Sequence, residues 1–304
     1  MKKSKQDIQG AAVLLLAAFI WGTTYVFQST GMDHVGPLTF VTGRNALSSV
    51  CLAVLWVLVQ RMAGESVLPP RGSRKAALAA GLACGACLGF GMAFQQVGLK
   101  YTTVGKTSLI SGLYIVFVPL IRMAAGKKYR RGIWVCVLMA LAGLFLLTVS
   151  GDAVIRPGDV IIFFSAIIYS LHILVVDHYS VRVPVILLSL LQLIVATVIA
   201  FAGMMIAEEP AWADIAQARI PLLYAGILSG GVAFTLQITA QKRVEPAVAS
   251  LIMCLEAVFG ALAGWIVLHE HLTFREWCGA ALMFAAIVLI QLMTAGGVKD
   301  SAEV

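Results

Sequence analysis

The chain has 304 residues, of which 60% are hydrophobic and only 12% are charged, and its formal net charge is +7. A soluble domain usually has roughly half its residues apolar and about a quarter charged, so the composition excludes an ordinary water-soluble protein. The basic residues lie in short segments beside apolar runs and form no face with interleaved aromatics. We therefore expect the lipid bilayer, and not nucleic acid, as a partner.

Ten apolar runs are candidates for membrane-spanning helices. A hydrocarbon core about 30 Å thick needs about 20 apolar residues per helix, so ten helices with short connectors use almost the whole chain. The predicted fold class is an all-α integral membrane protein. The predicted spans are 10–27, 38–59, 76–99, 104–121, 132–149, 160–176, 185–206, 222–240, 247–268 and 274–293.

The first span follows the basic segment MKKSKQDIQG and resembles a signal peptide, but no small-x-small cleavage site precedes a polar sequence. We interpret it as a retained helix. With the N-terminus in the cytoplasm, sixteen of the 22 lysines and arginines face inward, five face outward, and Arg44 lies inside a span. The positive-inside rule then predicts a multi-pass protein of the inner (plasma) membrane with both termini in the cytoplasm.

Small residues recur every four positions in two of the predicted spans. Gly81, Gly85 and Gly89 lie in the third span, and Gly226 and Gly230 lie in the eighth. Small residues at this spacing allow two helices to approach each other closely. We expect both faces to pack against neighbouring helices.

An internal repeat relates the two halves of the chain. The segment GMAFQQ from Gly91 matches GVAFTL from Gly231, and TSLISGLYIVF ending at Phe117 matches ASLIMCLEAVF ending at Phe259. The third and fourth spans therefore correspond to the eighth and ninth.

The repeat unit contains five spans, an odd number, so its second copy must enter the membrane from the opposite side. We predict two inverted five-helix repeats, residues 1–151 and 152–304. Inverted repeats can exchange conformations and so open a central site to each side of the membrane in turn. Some membrane enzymes and channels also contain inverted repeats.

Two charged residues fall inside predicted spans. Glu256 is the only acidic residue deep in an apolar run, where an ionised carboxylate costs roughly a few kcal/mol unless it faces a partner or water. Its role is either to contact a substrate ammonium group or a proton, or to form a structural hydrogen bond to helix backbone or to Arg44. For Arg44 we favour a structural or coupling role, and the alternatives are carboxylate binding and snorkelling to the outer surface.

Aromatic and uncharged polar side chains are predicted to line a substrate cavity. Trp21 and Tyr25 share one face of the first helix, and Tyr169, close to His172, occupies the equivalent place in the sixth. Aromatic surfaces with a few hydrogen-bonding ends can stack the apolar part of a ligand and orient its polar end. The alternative is that these aromatics face lipid. The predicted substrate-binding residues are Trp21, Tyr25, Gln95, Tyr114, Tyr169, His172, Gln237 and Glu256.

No metal site and no cofactor are predicted. The six cysteines all lie in apolar runs and are interpreted as small packing residues, including the C-x-x-C pair Cys84 and Cys87. The cluster 269–271, with the sequence HEH, has no second ligand pair at a suitable spacing and is predicted to be a loop. No glycine-rich phosphate loop followed by lysine and serine is present, which argues against direct ATP drive.

Several short motifs connect the chain to a known family. They are Trp21 and Gly22 in the first span, Arg44 in the second, the segment L-K-Y-T at 99–102, and L-E-A-V-F at 255–259 followed by Glu270. At these residues the chain resembles the EamA family of the drug/metabolite transporter superfamily. The resemblance implies a ten-helix carrier whose first, third, fourth, sixth, eighth and ninth helices surround the cavity. The chain departs from the family pattern at Ala257, where a proline is common, and at Tyr114, which replaces a glutamate.

The repeat and the resemblance together predict a secondary transporter and not an enzyme. By resemblance it exports small metabolites such as amino acids or drug-like amphipathic compounds. One alternative is an intramembrane enzyme acting on lipid-linked substrates, which would need paired acidic groups or a metal. Another is a receptor or assembly subunit that transports nothing. The oligomeric state is left open, with a homo-oligomer among the alternatives.

Overall fold

The computed structural model describes residues 2–68, 70–102, 104–129, 131–148, 155–267 and 272–296. The predicted boundary between the repeats and the predicted loop at 269–271 lie outside these ranges. Within them the chain is helical and contains no strand. The helices are α1 (Lys2–Met32), α2 (Pro37–Met62), α3 (Arg71–Lys100), α4 (Val104–Ser111), α5 (Tyr114–Ala124), α6 (Arg131–Thr148), α7 (Pro157–Ser180), α8 (Val185–Ala207), α9 (Trp212–Gln217), α10 (Arg219–Leu223), the π-helix π1 (Tyr224–Ala233), α11 (Phe234–Gln241), α12 (Pro246–Met253), α13 (Glu256–Val267) and α14 (Phe274–Gly296).

Nine helical stretches in the described ranges are long and apolar enough to cross a bilayer. A further apolar helix, Arg131–Leu147 within α6, is shorter. Three of the nine stretches are composite: α4 with α5, α10 with π1 and α11, and α12 with α13. The predicted class of all-α, membrane-spanning protein is confirmed, and the count of ten spans stays a prediction.

Apolar side chains pack in two large clusters inside the helix bundle. One joins α5, α6, α12, α13 and α14 around fully buried residues such as Leu144 and Leu251. The other joins α2, α3, α7 and α8 around Leu88 and Leu188. Other large apolar side chains point away from the bundle, for example Leu138, which is 64% exposed. Such a surface suits a lipid solvent, because lipid tails are as apolar as these side chains.

Both glycine faces predicted from the sequence pack closely against a neighbouring helix. A Cβ atom added to Gly81, Gly85 or Gly89 on α3 would lie 2.5 to 2.9 Å from atoms of α8. Gly226 on π1 lies equally close to α2, where an added Cβ would be 2.8 Å from the Cβ of Leu47. These contacts hold the third span on the seventh and the eighth on the second.

Helix α6 packs along α14 through a pair of glycines. A Cβ on Gly143 would lie 2.7 Å from the carbonyl oxygen of Gly279, and a Cβ on Gly279 would lie 2.6 Å from the carbonyl oxygen of Gly143. Since both obstacles are backbone atoms, the two helices can be this close only with glycine at the crossing.

The glycine crossing predicts that Gly143→Leu destabilises the protein, whereas Ala142→Leu on the exposed side of the same helix does not. Overpacking of a tight contact typically costs about 1–3 kcal/mol. We expect a lower thermal unfolding temperature for purified Gly143→Leu in detergent, measured by intrinsic fluorescence. An unfolding temperature equal to that of Ala142→Leu would show that α6 and α14 do not cross here.

The start of α2 is capped by a carboxylate from the end of α8. The Glu208 Oε1 atom accepts a hydrogen bond from the backbone N–H of Leu38 at 2.8 Å. Its Oε2 atom accepts from the backbone N–H of Thr39 at 2.8 Å and from the Thr39 hydroxyl at 2.6 Å. An anion at a helix N-terminus satisfies free N–H groups and interacts favourably with the helix dipole. Glu208 thus connects the second span to the seventh.

This cap predicts that Glu208→Ala lowers the stability of the protein by about 1–2 kcal/mol, the usual effect of removing a helix cap. The adjacent Glu209 is exposed, so Glu209→Ala is the matched control. Urea or thermal unfolding of both variants checks the prediction. Equal stability of the two variants would contradict the assigned cap.

Candidate substrate cavity

A cavity inside the helix bundle is lined by residues from both halves of the chain. It has a volume of about 80 Å³ for a water-sized sphere, enough for on the order of five water molecules. The first, third, fourth, sixth, eighth and ninth spans each contribute to its wall, and the second adds Arg44. The lining residues are Trp21, Tyr25, Gln28, Arg44, Met92, Gln95, Tyr114, Tyr169, His172, Ile173, Ser229, Phe234, Gln237, Met253 and Glu256. The structure therefore brings together every residue that the sequence marked as a substrate-binding or coupling candidate.

Glu256 is placed in the cavity by an interruption of the ninth span. Helix α12 ends at Met253 and α13 begins at Glu256. Between them the backbone tightens to i→i−3 hydrogen bonds, from Leu255 N to Ile252 O at 3.1 Å and from Ala257 N to Cys254 O at 3.2 Å. The carboxylate thus lies in the first turn of a helix, where the dipole favours negative charge. The interruption forms although Ala257 stands where the family often has proline.

The fourth span is interrupted at the repeat-equivalent place. The backbone N–H of Leu113 donates to Ile110 O at 3.1 Å, and that of Ile115 donates to Gly112 O at 3.1 Å. In the sequence match between TSLISGLYIVF and ASLIMCLEAVF, Leu113 corresponds to Leu255 and Tyr114 to Glu256. The correspondence therefore extends from side chains to backbone hydrogen bonds.

Two tyrosines approach the carboxylate of Glu256. The Tyr114 hydroxyl donates to Glu256 Oε1 at 3.4 Å and the Tyr25 hydroxyl donates to the same atom at 3.5 Å. Both distances exceed the usual 2.5–3.0 Å for O–H···O hydrogen bonds, so the carboxylate is only weakly engaged. It can therefore accept a further hydrogen bond from a ligand, or bind a proton.

Aromatic rings form another part of the wall. Trp21 packs on Phe234 with ring centroids 5.1 Å apart, and its Nε1–H donates to the carbonyl oxygen of Ser229 at 3.4 Å. Tyr169 packs on the third span, since a Cβ on Gly91 would lie 3.0 Å from its ring. In the repeat Trp21 corresponds to Tyr169 and the eighth span to the third. Each ring therefore packs on the equivalent helix of the other repeat.

Gln95 and His172 contribute to the wall and also connect helices. The Tyr169 hydroxyl donates to Gln95 Oε1 at 3.1 Å, and Gln95 Nε2 donates to the Ser111 hydroxyl at 2.9 Å. The His172 Nε2 atom lies 3.0 Å from Gln192 Oε1. Because these polar atoms already have partners, their contact with a ligand would be made through the remaining atoms of each side chain.

Arg44 is the cation of the cavity. It is 3% exposed, so it does not snorkel to the outer surface. Its Nη2 atom donates to the Ser229 hydroxyl at 2.7 Å, whereas its Nε atom has no partner. Among the described residues, no ion pair joins Arg44 or Glu256 to a group of opposite charge.

Sequence reasoning missed several lining residues. Gln28 lies three residues after Tyr25 and so continues the face of Trp21 and Tyr25. This spacing is enough to predict that Gln28 lines the cavity. Phe234 lies inside the matched segment GVAFTL. Ser229 carried no signal, because its position depends on the π-helical backbone of π1.

A bundle of membrane-spanning helices around a small, mixed polar and aromatic cavity is the architecture of a membrane transporter. The profile of the EamA-like transporter family matches residues 8–149 and again residues 156–292. The chain therefore belongs to the EamA-like transporter family and is a multi-pass membrane transporter.

Relatives with similar sequences are also named as transporters, which are not enzymes. A protein of Archaeoglobus fulgidus named an uncharacterized transporter is 28% identical over 281 residues, which cover 92% of this chain and 84% of the relative. The uncharacterized transporter YoaV of Bacillus subtilis is 24% identical, with 91% and 94% covered. The uncharacterized inner membrane transporter YedA of Escherichia coli K12 is 23% identical, with 90% and 87% covered.

The fold recurs in a solved crystal structure of another protein. That structure has a TM-score of 0.76 with 17% sequence identity, and the match covers 94% of this chain and 97% of the other. At this level of identity the likeness concerns the fold alone.

Proposed function

We propose that the protein is a secondary transporter that exports small metabolites, such as amino acids or amphipathic drug-like compounds, by alternating access. The observation that carries the proposal is the central cavity, in which one carboxylate, one guanidinium and several aromatic rings converge. The transporter acts in the inner (plasma) membrane with both termini in the cytoplasm. Its partners are a small-molecule solute and the bilayer, not nucleic acid, and a homo-oligomer is compatible with it.

The proposed mechanism uses ten spans arranged as two inverted repeats. Its support is that equivalent spans have equivalent neighbours. The third span packs on the sixth and seventh, and the eighth packs on the first and second. The fifth predicted span packs on the tenth, and the second span packs on the seventh. In both pairs, the two helices occupy equivalent positions in the two repeats. Such an arrangement lets each repeat adopt the conformation of the other.

The cytoplasmic side of the proposed pathway lies at a second, wider hollow of about 390 Å³. Two ion pairs border it, Arg122 with Asp177 at 3.6 Å and Lys127 with Glu245 at 3.7 Å. The second pair connects the loop after α5 to the loop before α12, and so joins the two repeats. Partly exposed ion pairs contribute only about 0–1 kcal/mol each. They can therefore break and re-form as the cavity opens to the cytoplasm.

The chemistry of the cavity favours solutes with an amine and an apolar part. Glu256 lies close to Tyr25 and Tyr114 and is weakly hydrogen-bonded, so an ammonium group would gain a charge-assisted hydrogen bond there. The rings of Trp21 and Phe234 offer apolar surface beside it. The carboxylate also suits reversible protonation, which would couple transport to a proton gradient.

The export direction predicts a change in the growth medium of cells that overproduce the protein. Untargeted mass spectrometry should show one class of amine-bearing metabolites accumulating outside cells with the intact protein and not outside cells with Glu256→Gln. Glu209→Gln, the same substitution at an exposed site, should behave as the intact protein does. If no medium changes, export is contradicted and uptake into proteoliposomes decides between an importer and a protein that transports nothing.

The proposed coupling role predicts that Glu256→Gln flattens the pH dependence of solute flux, because an amide cannot exchange a proton in this range. Flux of an identified solute into proteoliposomes, measured with and without an imposed proton gradient, checks this. The variant should also unfold at about the same temperature as the intact protein, so that a folding defect is excluded. An unchanged pH profile in folded Glu256→Gln would contradict proton coupling at this site.

A further inference from the structure

Arg44 is a cation without a counter-ion at membrane depth. It lies seven residues into α2, which corresponds to about 10 Å from the start of the helix. No carboxylate of the described residues lies within ion-pair distance of it. A guanidinium in the interior of a membrane protein is costly unless it is paired or faces water or a ligand, so this position calls for an anionic partner.

The donors of Arg44 are largely unused. A guanidinium has five N–H donors in a planar fork that fits a carboxylate with two parallel hydrogen bonds. The structure gives Nη2 the Ser229 hydroxyl as partner and leaves the buried Nε without one. The Ser229 contact fixes the orientation of the group but does not neutralise its charge.

The cation and the carboxylate of the cavity do not neutralise each other, since no ion pair joins Arg44 to Glu256. One face of α1 connects their surroundings, because Trp21 donates to the Ser229 carbonyl oxygen and Tyr25 donates to Glu256. A ligand lying along this face would meet a positive group at one end and a negative group at the other.

We infer that Arg44, oriented by Ser229, is an anion subsite that binds the carboxylate of the transported solute. This inference rests on the proposed transport function and narrows it to dipolar solutes, which carry a carboxylate for Arg44 and an amine for Glu256. A free inorganic anion such as chloride carries the same negative charge as a carboxylate and can also bind a guanidinium. The experiment must therefore distinguish chloride from a solute carboxylate.

The test compares solutes that differ only in the carboxylate. Purified protein in detergent is screened for ligand-induced thermal stabilisation with the twenty standard amino acids, with the amines formed by their decarboxylation, and with their carboxamides. We expect amino acids to bind about tenfold or more tightly than the matching amines and carboxamides, the usual scale for a lost charge-assisted hydrogen bond. Each series is run in chloride and in gluconate buffer.

The variants separate the anion subsite from the rest of the cavity. Arg44→Gln should weaken amino acid binding about tenfold or more and should not weaken amine binding, because the amine has no group for Arg44 to bind. Ser229→Ala, which keeps the charge, should weaken amino acid binding by a smaller factor in the same direction. Ser229→Ala also serves as the test if Arg44→Gln does not fold.

Three results would overturn the inference. Equal affinity for an amino acid and its amine, or equal weakening of both in the variants, would show that Arg44 binds no solute carboxylate while transport of amines stands. Amine binding that requires chloride would assign the subsite to the inorganic anion. If no solute of any series binds and none crosses proteoliposome membranes, the proposed function fails and the subsite fails with it.

Discussion

A charge within a bilayer must be held by other polar groups, and this protein holds two opposite charges in one cavity without letting them touch. Arg44 is oriented by a hydroxyl, and Glu256 by two tyrosines at long distance. Three features of the surrounding helices position Arg44 and Glu256 apart from each other. The interrupted ninth span brings the carboxylate inward, the π-helical turn presents Ser229, and glycine contacts press α3 and π1 against their neighbours. Each of the two groups therefore has only part of its hydrogen-bonding capacity satisfied by the protein.

Much of this architecture could be predicted from the sequence, because the hydrocarbon core of the bilayer restricts which residues a spanning helix can contain. Runs of apolar residues long enough to span hydrocarbon are rare in soluble proteins, so the fold class followed from composition. Polar groups at membrane depth are expensive, so residues such as Glu256, Arg44 and Gln95 had few roles available. The internal repeat then indicated which aromatics occupy equivalent places, and the structure puts Trp21 and Tyr169 on the same cavity.

The details of the backbone could not be predicted. No proline marks the interruptions before Tyr114 and Glu256, and hydropathy reads both spans as continuous. The π-helix of the eighth span packs against α1 and α2, and nothing in the sequence indicates a π-helix there, so the position of Ser229 could not be predicted.

The two repeats differ where they matter most. Tyr114 in the first stands opposite Glu256 in the second, and the regular α3 corresponds to a span that contains the π-helix. Two identical inverted repeats would make the inward-open and outward-open states equivalent by a two-fold rotation and equal in free energy, so that an empty carrier would rest in either one equally often. Under the proposed mechanism, these differences therefore act as a bias. They set the resting orientation of the empty carrier, and any change in the charge of Glu256 shifts that balance as well as the binding of the solute.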